Sequence, residues 1–262
     1  MQSEPSRAPT ARFSDRVEFY LRYRPRYPQA LVEHLAQEGG LLEGHTVADM
    51  GCGTGFLAEV FLRHGCAVIG IEPNANMRAA GESLLAEHPG FKSVDATSES
   101  TGLPDGSVDW ITAGQAFHWF DAERSGAEFR RILRPGGRTA LVWNDRDAEG
   151  TPFMKAYDTL LHTYAPDYQE VGHRKMGQDV FERFFRGNHR EVTFPNGQAF
   201  DREALRGRLL SSSYAPPPGH PNHDPMIAAL DGLFDQYATA GPEGGRQVAF
   251  QYQTRMFWGE LG

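Results

Sequence analysis

A glycine-rich segment at residues 46–57 constrains the fold of this chain more than any other feature. It begins with a short apolar run, continues with glycines at alternate positions and ends in apolar residues at helical spacing. This pattern predicts a buried strand, a tight turn and the start of a helix. Glycine lacks a Cβ and tolerates positive φ, so such a turn lets the backbone approach a ligand closely. We therefore expect a nucleotide-like cofactor at this turn.

Short apolar runs alternate with helical patterns between residues 46 and 145. The runs after the first lie at 67–72, 91–96, 108–113 and 139–143. They carry no polar alternation, which is typical of strands buried on both faces. The alternation of strand and helix predicts an α/β fold in which helices cover both faces of a doubly wound parallel sheet.

The second half of the chain has a different pattern. Large apolar residues at helical spacing predict several helices, and residues 190–194 predict a short strand. Between Val248 and Trp258, every second residue falls on one mostly apolar face, which predicts a half-buried strand. We expect this last strand to pair antiparallel with the strand at 190–194.

Composition narrows the possible partners. The 262 residues carry a formal net charge of −8, which argues against binding to nucleic acid or to an anionic membrane. Cys52 and Cys66 are too few for a disulfide framework and lack metal-ligand spacing. The N-terminus has no apolar signal core, and no run of about 18 apolar residues occurs. We expect a cytoplasmic protein without metal, nucleic-acid or membrane partners.

The glycine turn allows two cofactors. Gly53, Gly55 and Ala58 satisfy the dinucleotide pattern G-x-G-x-x-G/A, and Glu72 closes the next strand, so an NAD-dependent oxidoreductase is one alternative. The other is S-adenosylmethionine, which carries an ammonium and a sulfonium and no phosphate. Asp49 favours the second, because a carboxylate just before the glycines would repel a pyrophosphate and attract a cation.

Several ordered motifs resemble those of class I S-adenosylmethionine-dependent methyltransferases of the UbiE-like type 11 group. They lie at 47–55, at 69–74 with Met77, at 95–96 followed by 103–104, and at 133–137. Residues 115–120, Gln-Ala-Phe-His-Trp-Phe, are similar to the trans-aconitate methyltransferase-like members. The resemblance implies a Rossmann-like, mostly parallel seven-stranded sheet with an antiparallel C-terminal strand and helical additions over the active site.

The resemblance also implies one domain over residues 1–262. Residues 1–45 would form an N-terminal arm and helix, residues 46–145 the cofactor-binding core, and residues 146–262 the helical additions and the final strand pair.

Residue roles follow from the same resemblance. Glu72 would accept hydrogen bonds from the ribose hydroxyls, Asp95 from the adenine amino group, and Arg24 of the covering arm would meet the cofactor carboxylate. The remaining residues expected to bind the cofactor are Tyr20, Asp49, Gly51, Cys52, Gly53, Pro73, Met77, Ala96, Gln115 and Ala116. Tyr23 and Trp119 are expected to contact the substrate.

His118 is the candidate catalytic residue. An imidazole with a pKa of about 6.5 can deprotonate or hydrogen-bond an acceptor at neutral pH. The alternative is that His118 and Trp119 pack against the helix that Asp121 is predicted to cap.

The predicted reaction is in-line transfer of a methyl group to a small molecule, through an oxygen, a carboxylate or another nucleophile, leaving S-adenosylhomocysteine. A protein that binds S-adenosylmethionine without transferring its methyl group is a further alternative. We expect a monomer or a homodimer.

Overall fold

The computed structural model describes residues 21–169, 178–242 and 244–262. Its strands are β1 (Thr46–Met50), β2 (Ala67–Ile71), β3 (Phe91–Val94), β4 (Val108–Gly114), β5 (Leu133–Arg146), β6 (His189–Phe200), β7 (Thr239–Ala240) and β8 (Arg246–Gly259). Its α-helices are α1 (Ala30–Gly39), α2 (Phe56–Arg63), α3 (Ala75–Leu84), α4 (Ala122–Ile132), α5 (Pro152–Tyr164), α6 (Gln178–Phe185), α7 (Arg202–Leu210) and α8 (His223–Tyr237).

The sheet has the strand order β3-β2-β1-β4-β5-β8-β6, and the two-residue β7 pairs with β8 outside this path. Strands β1 to β5 pair in parallel. Strand β8 is antiparallel to both of its neighbours, β5 and β6. The predicted seven-stranded, mostly parallel sheet with an antiparallel final strand is therefore confirmed, as is the pairing of that strand with β6.

Helices cover both faces of the sheet because neighbouring residues of the inner strands point in opposite directions. On β4, Trp110 packs in a cluster with Leu35 of α1 and Phe61 of α2. The next residue, Ile111, packs on the other face with Phe129 of α4. Fully buried strands of this kind explain the unbroken apolar runs in the sequence.

A third cluster joins α5, α7 and α8 to the first half of β8, around Phe250. These helices form the predicted additions beyond the parallel part of the sheet. None of the helices in the described ranges has the length and apolar character needed to span a bilayer.

Two strands are longer than predicted. Strand β5 starts at Leu133, which pairs with Val108, and a register shift after Val108 takes up the predicted turn at 134–137. Strand β6 continues to Phe200, which pairs with Val248 of β8. Pairing with a neighbouring strand extends each of them: β4 extends β5 across a register shift, and the antiparallel β8 extends β6. The apolar pattern of one segment does not encode the length of its partner strand.

The carboxyl ends of β2, β1, β4 and β5 meet at one edge of the sheet. They place Glu72, Asp49, Gln115 and Arg146 there, in that order. The strand order reverses between β1 and β4, and open α/β sheets bind ligands in the crevice at such a switch point.

Candidate functional site

A cavity of about 430 Å³ lies at this edge of the sheet. It is lined by the segments after β1, β2 and β4 and by the last residues of β5, together with Arg24, Pro25 and Tyr27 before α1 and residues 213–214 after α7. Of the sequence-predicted residues, the following line it: Arg24, Asp49, Gly51, Cys52, Gly53, Glu72, Pro73, Met77, Gln115, Ala116, His118 and Trp119.

The turn after β1 requires glycine. Gly51, Gly53 and Gly55 have φ values of 64°, 58° and 83°. A Cβ on Gly51 would lie 2.7 Å from the Cβ of Ala116, and one on Gly55 would lie 2.6 Å from a methyl group of Leu85. A side chain at either position would meet both a disfavoured backbone conformation and a steric clash.

Asp49 is a buried carboxyl beside this turn, with 1% of its surface exposed. Its Oδ1 accepts a 2.9 Å hydrogen bond from the hydroxyl of Thr112. Its Oδ2 is buried without a hydrogen-bond donor of good geometry in the described ranges. Burial, with a smaller contribution from the charge of Glu72, raises the pKa of Asp49 to about 6, against the lowering effects of the Thr112 hydroxyl, the weak thiol donor of Cys52 and the backbone N–H of Ala58. The site therefore holds an under-compensated negative charge at neutral pH, which suits a cationic ligand.

Glu72 fixes the turn to the end of β2. Its Oε2 accepts a 2.9 Å hydrogen bond from the backbone N–H of Gly53, and its Oε1 accepts a 2.8 Å bond from that of Asn74. Burial raises the pKa of Glu72, and the two N–H donors oppose that rise. Each carboxylate oxygen keeps a further lone pair, so the side chain can also accept bonds from a ligand.

Cys52, Pro73 and Met77 complete this end of the cavity. Burial raises the pKa of the Cys52 thiol well above its usual value, so the residue is present as a protonated thiol. The side chain of Asn74 caps α3 and accepts hydrogen bonds from the backbone N–H of Asn76 and Met77, which sets Met77 against the cavity.

Gln115 follows β4 in a left-handed conformation, with φ at 55°. Only Gln115 and Arg186 among the described non-glycine residues have positive φ. The amide Nε2 of Gln115 donates a 3.1 Å hydrogen bond to the carbonyl of Asn144 on β5. A conformation of this kind costs about 1–3 kcal/mol and is frequent at ligand sites.

His118 and Trp119 lie on a short 3₁₀ helix, residues 117–119, that directly follows. Their ring centroids are 4.8 Å apart, and both side chains line the cavity. Phe117 points the other way into the core. Asp121 caps α4 as predicted, by accepting from the backbone N–H of Glu123 and Arg124. The local fold thus directs the polar ring of His118 toward the cavity and gives the core contact to Phe117.

Arg24 ties the N-terminal segment to the loop after α7. Its Nη2 donates a 2.8 Å hydrogen bond to the carbonyl of Ser211. This bond joins the lining segment before α1 to the segment that leads into the lining residues Ser213 and Tyr214.

Some sequence-predicted residues lie elsewhere. Asp95 and Ala96 are not among the cavity-lining residues, and the Asp95 carboxylate is 68% exposed and pairs with Arg78 at 3.0 Å. Residues 97–99, which follow them, line the cavity instead. Tyr23 is buried against Gly207 of α7 and does not line the cavity, so the structure gives it a packing contact. Tyr20 lies outside the described residues.

Three further cavity residues were not predicted. Arg146 ends β5, and its position at the carboxyl edge could have been inferred from the strand order. Arg208 and Tyr214 come from the second half of the chain, where no motif marks them. Within the described ranges, no group of three or more His, Cys, Asp and Glu residues is arranged to hold a metal ion.

Residues 48–141 match a family model described as a methyltransferase domain. An uncharacterized methyltransferase of Mycobacterium tuberculosis is 37% identical over 135 residues, which are 52% of this chain and 53% of the relative. The match thus spans about half the length of that relative. An uncharacterized methyltransferase-like protein of Schizosaccharomyces pombe is 26% identical over 249 residues, which are 95% of this chain and 94% of the relative.

A solved structure is similar over most of the chain. A proposed type II methyltransferase from Anaeromyxobacter dehalogenans has a TM-score of 0.68 and 25% identity, covering 91% of this chain and 98% of its own. The Rossmann-like fold is therefore shared with a structure described as a methyltransferase, and residues 48–141 match a methyltransferase domain.

Proposed function

We propose that this chain, built on a methyltransferase domain, transfers the methyl group of S-adenosylmethionine to a small-molecule acceptor. The observation that carries the proposal is Asp49, a fully buried carboxyl without a cationic partner in the described ranges, beside a turn in which only glycine fits. A cationic ligand would offset the cost of burying this charge, and a pyrophosphate would increase it.

The cavity residues fit S-adenosylmethionine. The glycine turn and Asp49 would face its cationic methionine part, Glu72 its ribose, and Arg24 its carboxylate. Both acids lie at the β1–β2 end of the cavity, so the field there disfavours phosphate. The adenine would lie near residues 95–99, where Asp95 would have to exchange its ion pair with Arg78 for the ligand.

The sulfonium of the bound donor supplies an activated methyl group. In the reaction an acceptor electron pair forms the new bond to carbon, and the electron pair of the broken C–S bond stays on sulfur. The chain has to align the two molecules and exclude water, and alignment can supply an effective concentration of about 10⁵ M or more. His118 stands where it could take a proton from an acceptor hydroxyl or amine, which typically adds about 10²–10⁴-fold.

The finer assignments stay predictions. The relatives reported above are described only as methyltransferases, so the similarity of residues 115–120 to trans-aconitate methyltransferase-like proteins remains a hypothesis about the acceptor. The cytoplasmic location, the single domain over residues 1–262 and the monomeric or dimeric state also remain proposals.

The test is transfer of label from methyl-labelled S-adenosylmethionine to a small-molecule extract. The proposal predicts a labelled product that passes a protein-retaining filter, and loss of that product with Asp49→Asn. If S-adenosylhomocysteine binds but no molecule in extracts of several sources takes up label, the non-catalytic alternative is the correct one.

A further inference from the structure

Two arginines are buried at the end of the cavity farthest from Glu72. Arg146 ends β5, and its side chain is 9% exposed. Arg208 lies on α7 and is 4% exposed. Both line the cavity together with Tyr168 and Tyr214. Guanidinium groups are rarely buried without a carboxylate partner, so an N–H group of either arginine that lacks a hydrogen-bond partner would indicate a binding site.

The guanidinium of Arg146 is only partly satisfied. Its Nη2 lies 3.4 Å from Asp158 Oδ1 and also donates to the hydroxyl of Tyr168. Its Nη1 is buried and has no hydrogen-bond partner in residues 21–169, 178–242 or 244–262. The hydroxyl of Tyr157, beneath the guanidinium, is likewise buried and unpartnered within those ranges.

Arg208 is bonded only to neutral groups. Its Nε donates a 2.8 Å hydrogen bond to the hydroxyl of Tyr252, and its Nη1 donates a 3.0 Å bond to the hydroxyl of Ser212. No carboxylate in the described part of the chain forms an ion pair with Arg208. The rings of Phe250 and Tyr252, whose centroids lie 5.4 and 5.7 Å from the Arg208 guanidinium carbon, offset part of this charge, but no anion does.

With the cofactor bound, the charges at this end of the cavity would sum to a single positive charge. Arg146 and Arg208 contribute two positive charges and Asp158 one negative charge. Arg24, whose charge also acts on Tyr214, adds a third positive charge, which the proposed contact with the cofactor carboxylate would balance. Asp145 also lines the cavity, but it is paired with Arg255 at 3.5 Å. A ligand with one negative charge would balance this end, whereas a phosphate dianion would exceed it.

We propose that Arg146 and Arg208 bind one carboxylate of the methyl acceptor, so that the acceptor is a small carboxylic acid. This inference rests on the proposed methyl transfer. Two strand spacings of ~4.8 Å separate β1 from β5, which places the carboxylate about 10 Å across the sheet edge from Asp49. The methyl donor and the acceptor would therefore occupy opposite, oppositely charged ends of one cavity.

The test is calorimetric titration of the full chain with acetate, butyrate and benzoate, each paired with its uncharged amide. The proposal predicts that at least one acid, in the presence of S-adenosylhomocysteine, binds about ten-fold or more tightly than its amide. Arg146→Gln and Arg208→Gln should abolish that preference. Arg206→Gln is the matched control for Arg208→Gln. Arg206 lies two positions before Arg208 on α7, but it pairs with Asp231 and does not line the cavity.

A second measurement does not depend on calorimetry. Burial raises the pKa of Tyr214, while Arg146 and Arg208 oppose that rise and hold it at about 8. A bound carboxylate would cancel part of their field, so a saturating acid should shift the ultraviolet titration of this tyrosinate to higher pH, and the amide should not.

Equal binding of every acid and its amide, or an acid preference that survives in Arg146→Gln, would overturn the carboxylate site. If Arg208→Gln does not fold, Arg146→Gln decides alone. S-adenosylhomocysteine titrated into the same proteins separates the two proposals: its failure to bind the unaltered protein rejects the methyl-donor site, whereas retained binding with no acid preference rejects only the carboxylate site.

Discussion

Asp49→Asn should stabilise the ligand-free protein while removing its affinity for S-adenosylmethionine. Asparagine has nearly the same shape and keeps an oxygen that can accept from the Thr112 hydroxyl. The substitution therefore changes the charge of the site with little change in its packing. Few substitutions at a binding site are expected to raise stability, so the sign of the effect is informative.

The magnitude follows from the pKa of Asp49. Burial raises it from 3.8 in the unfolded chain to about 6 in the fold, a difference of about 3 kcal/mol. Because the folded pKa is the higher one, ionisation destabilises the fold: the cost is absent below pH 4, grows as the pH rises, and is complete above the folded pKa. At pH 8 the variant should unfold roughly 5–10 °C above the unaltered protein, and at pH 4 the two should coincide.

Thermal unfolding followed by circular dichroism at pH 4 and pH 8 measures this difference. Asp109→Asn is a control of opposite sign. Burial raises the pKa of Asp109, but the backbone N–H of Thr46 and the Arg134 guanidinium outweigh it and lower that pKa overall, so this charge is stabilising and its removal should lower the unfolding temperature. An Asp49→Asn protein with unchanged stability at pH 8 and unchanged affinity for S-adenosylmethionine would refute the charge argument.

Further predictions concern pH, the glycine turn and His118. Affinity for S-adenosylmethionine should fall below pH 6, because Asp49 then takes up a proton and loses the charge that attracts the cation. An affinity that does not change between pH 5 and pH 8 would be contrary evidence. Gly51→Ala should abolish S-adenosylhomocysteine binding in calorimetry, since its Cβ would meet Ala116 at 2.7 Å, whereas Gly106→Ala, with a φ of 56° but open space around it, should bind normally. His118→Ala should lower kcat by about 10²–10⁴-fold with S-adenosylhomocysteine affinity retained, and an unaltered kcat would show that the ring only packs.

The parts of the fold that were predictable are those encoded locally. The turn at 51–55 needs glycine for steric reasons that the spacing alone reveals, and the alternation from Val248 to Trp258 reflects one buried face of β8. Asp49 was predictable as a candidate cofactor-binding residue because its charge conflicts with one cofactor and suits another, and it lines the cavity.

The end of the cavity that holds Arg146 and Arg208 was not predictable from the sequence. Arg208 and Tyr214 are more than 60 positions from Arg146 and reach it only through the packing of α7 against β8. Asp95 is the opposite case, because its motif is local and its observed partner is not. Its carboxylate pairs at the surface with Arg78, seventeen positions earlier in the chain. Partners that depend on long-range packing leave no spacing signal in one sequence.

The most direct test of the methyl-donor site is calorimetric titration of the unaltered protein at pH 8 with S-adenosylhomocysteine and, separately, with NAD. The buried charge of Asp49 beside the glycine turn predicts that S-adenosylhomocysteine binds, through its ammonium, and that NAD does not. Binding of NAD without binding of S-adenosylhomocysteine would contradict the central claim.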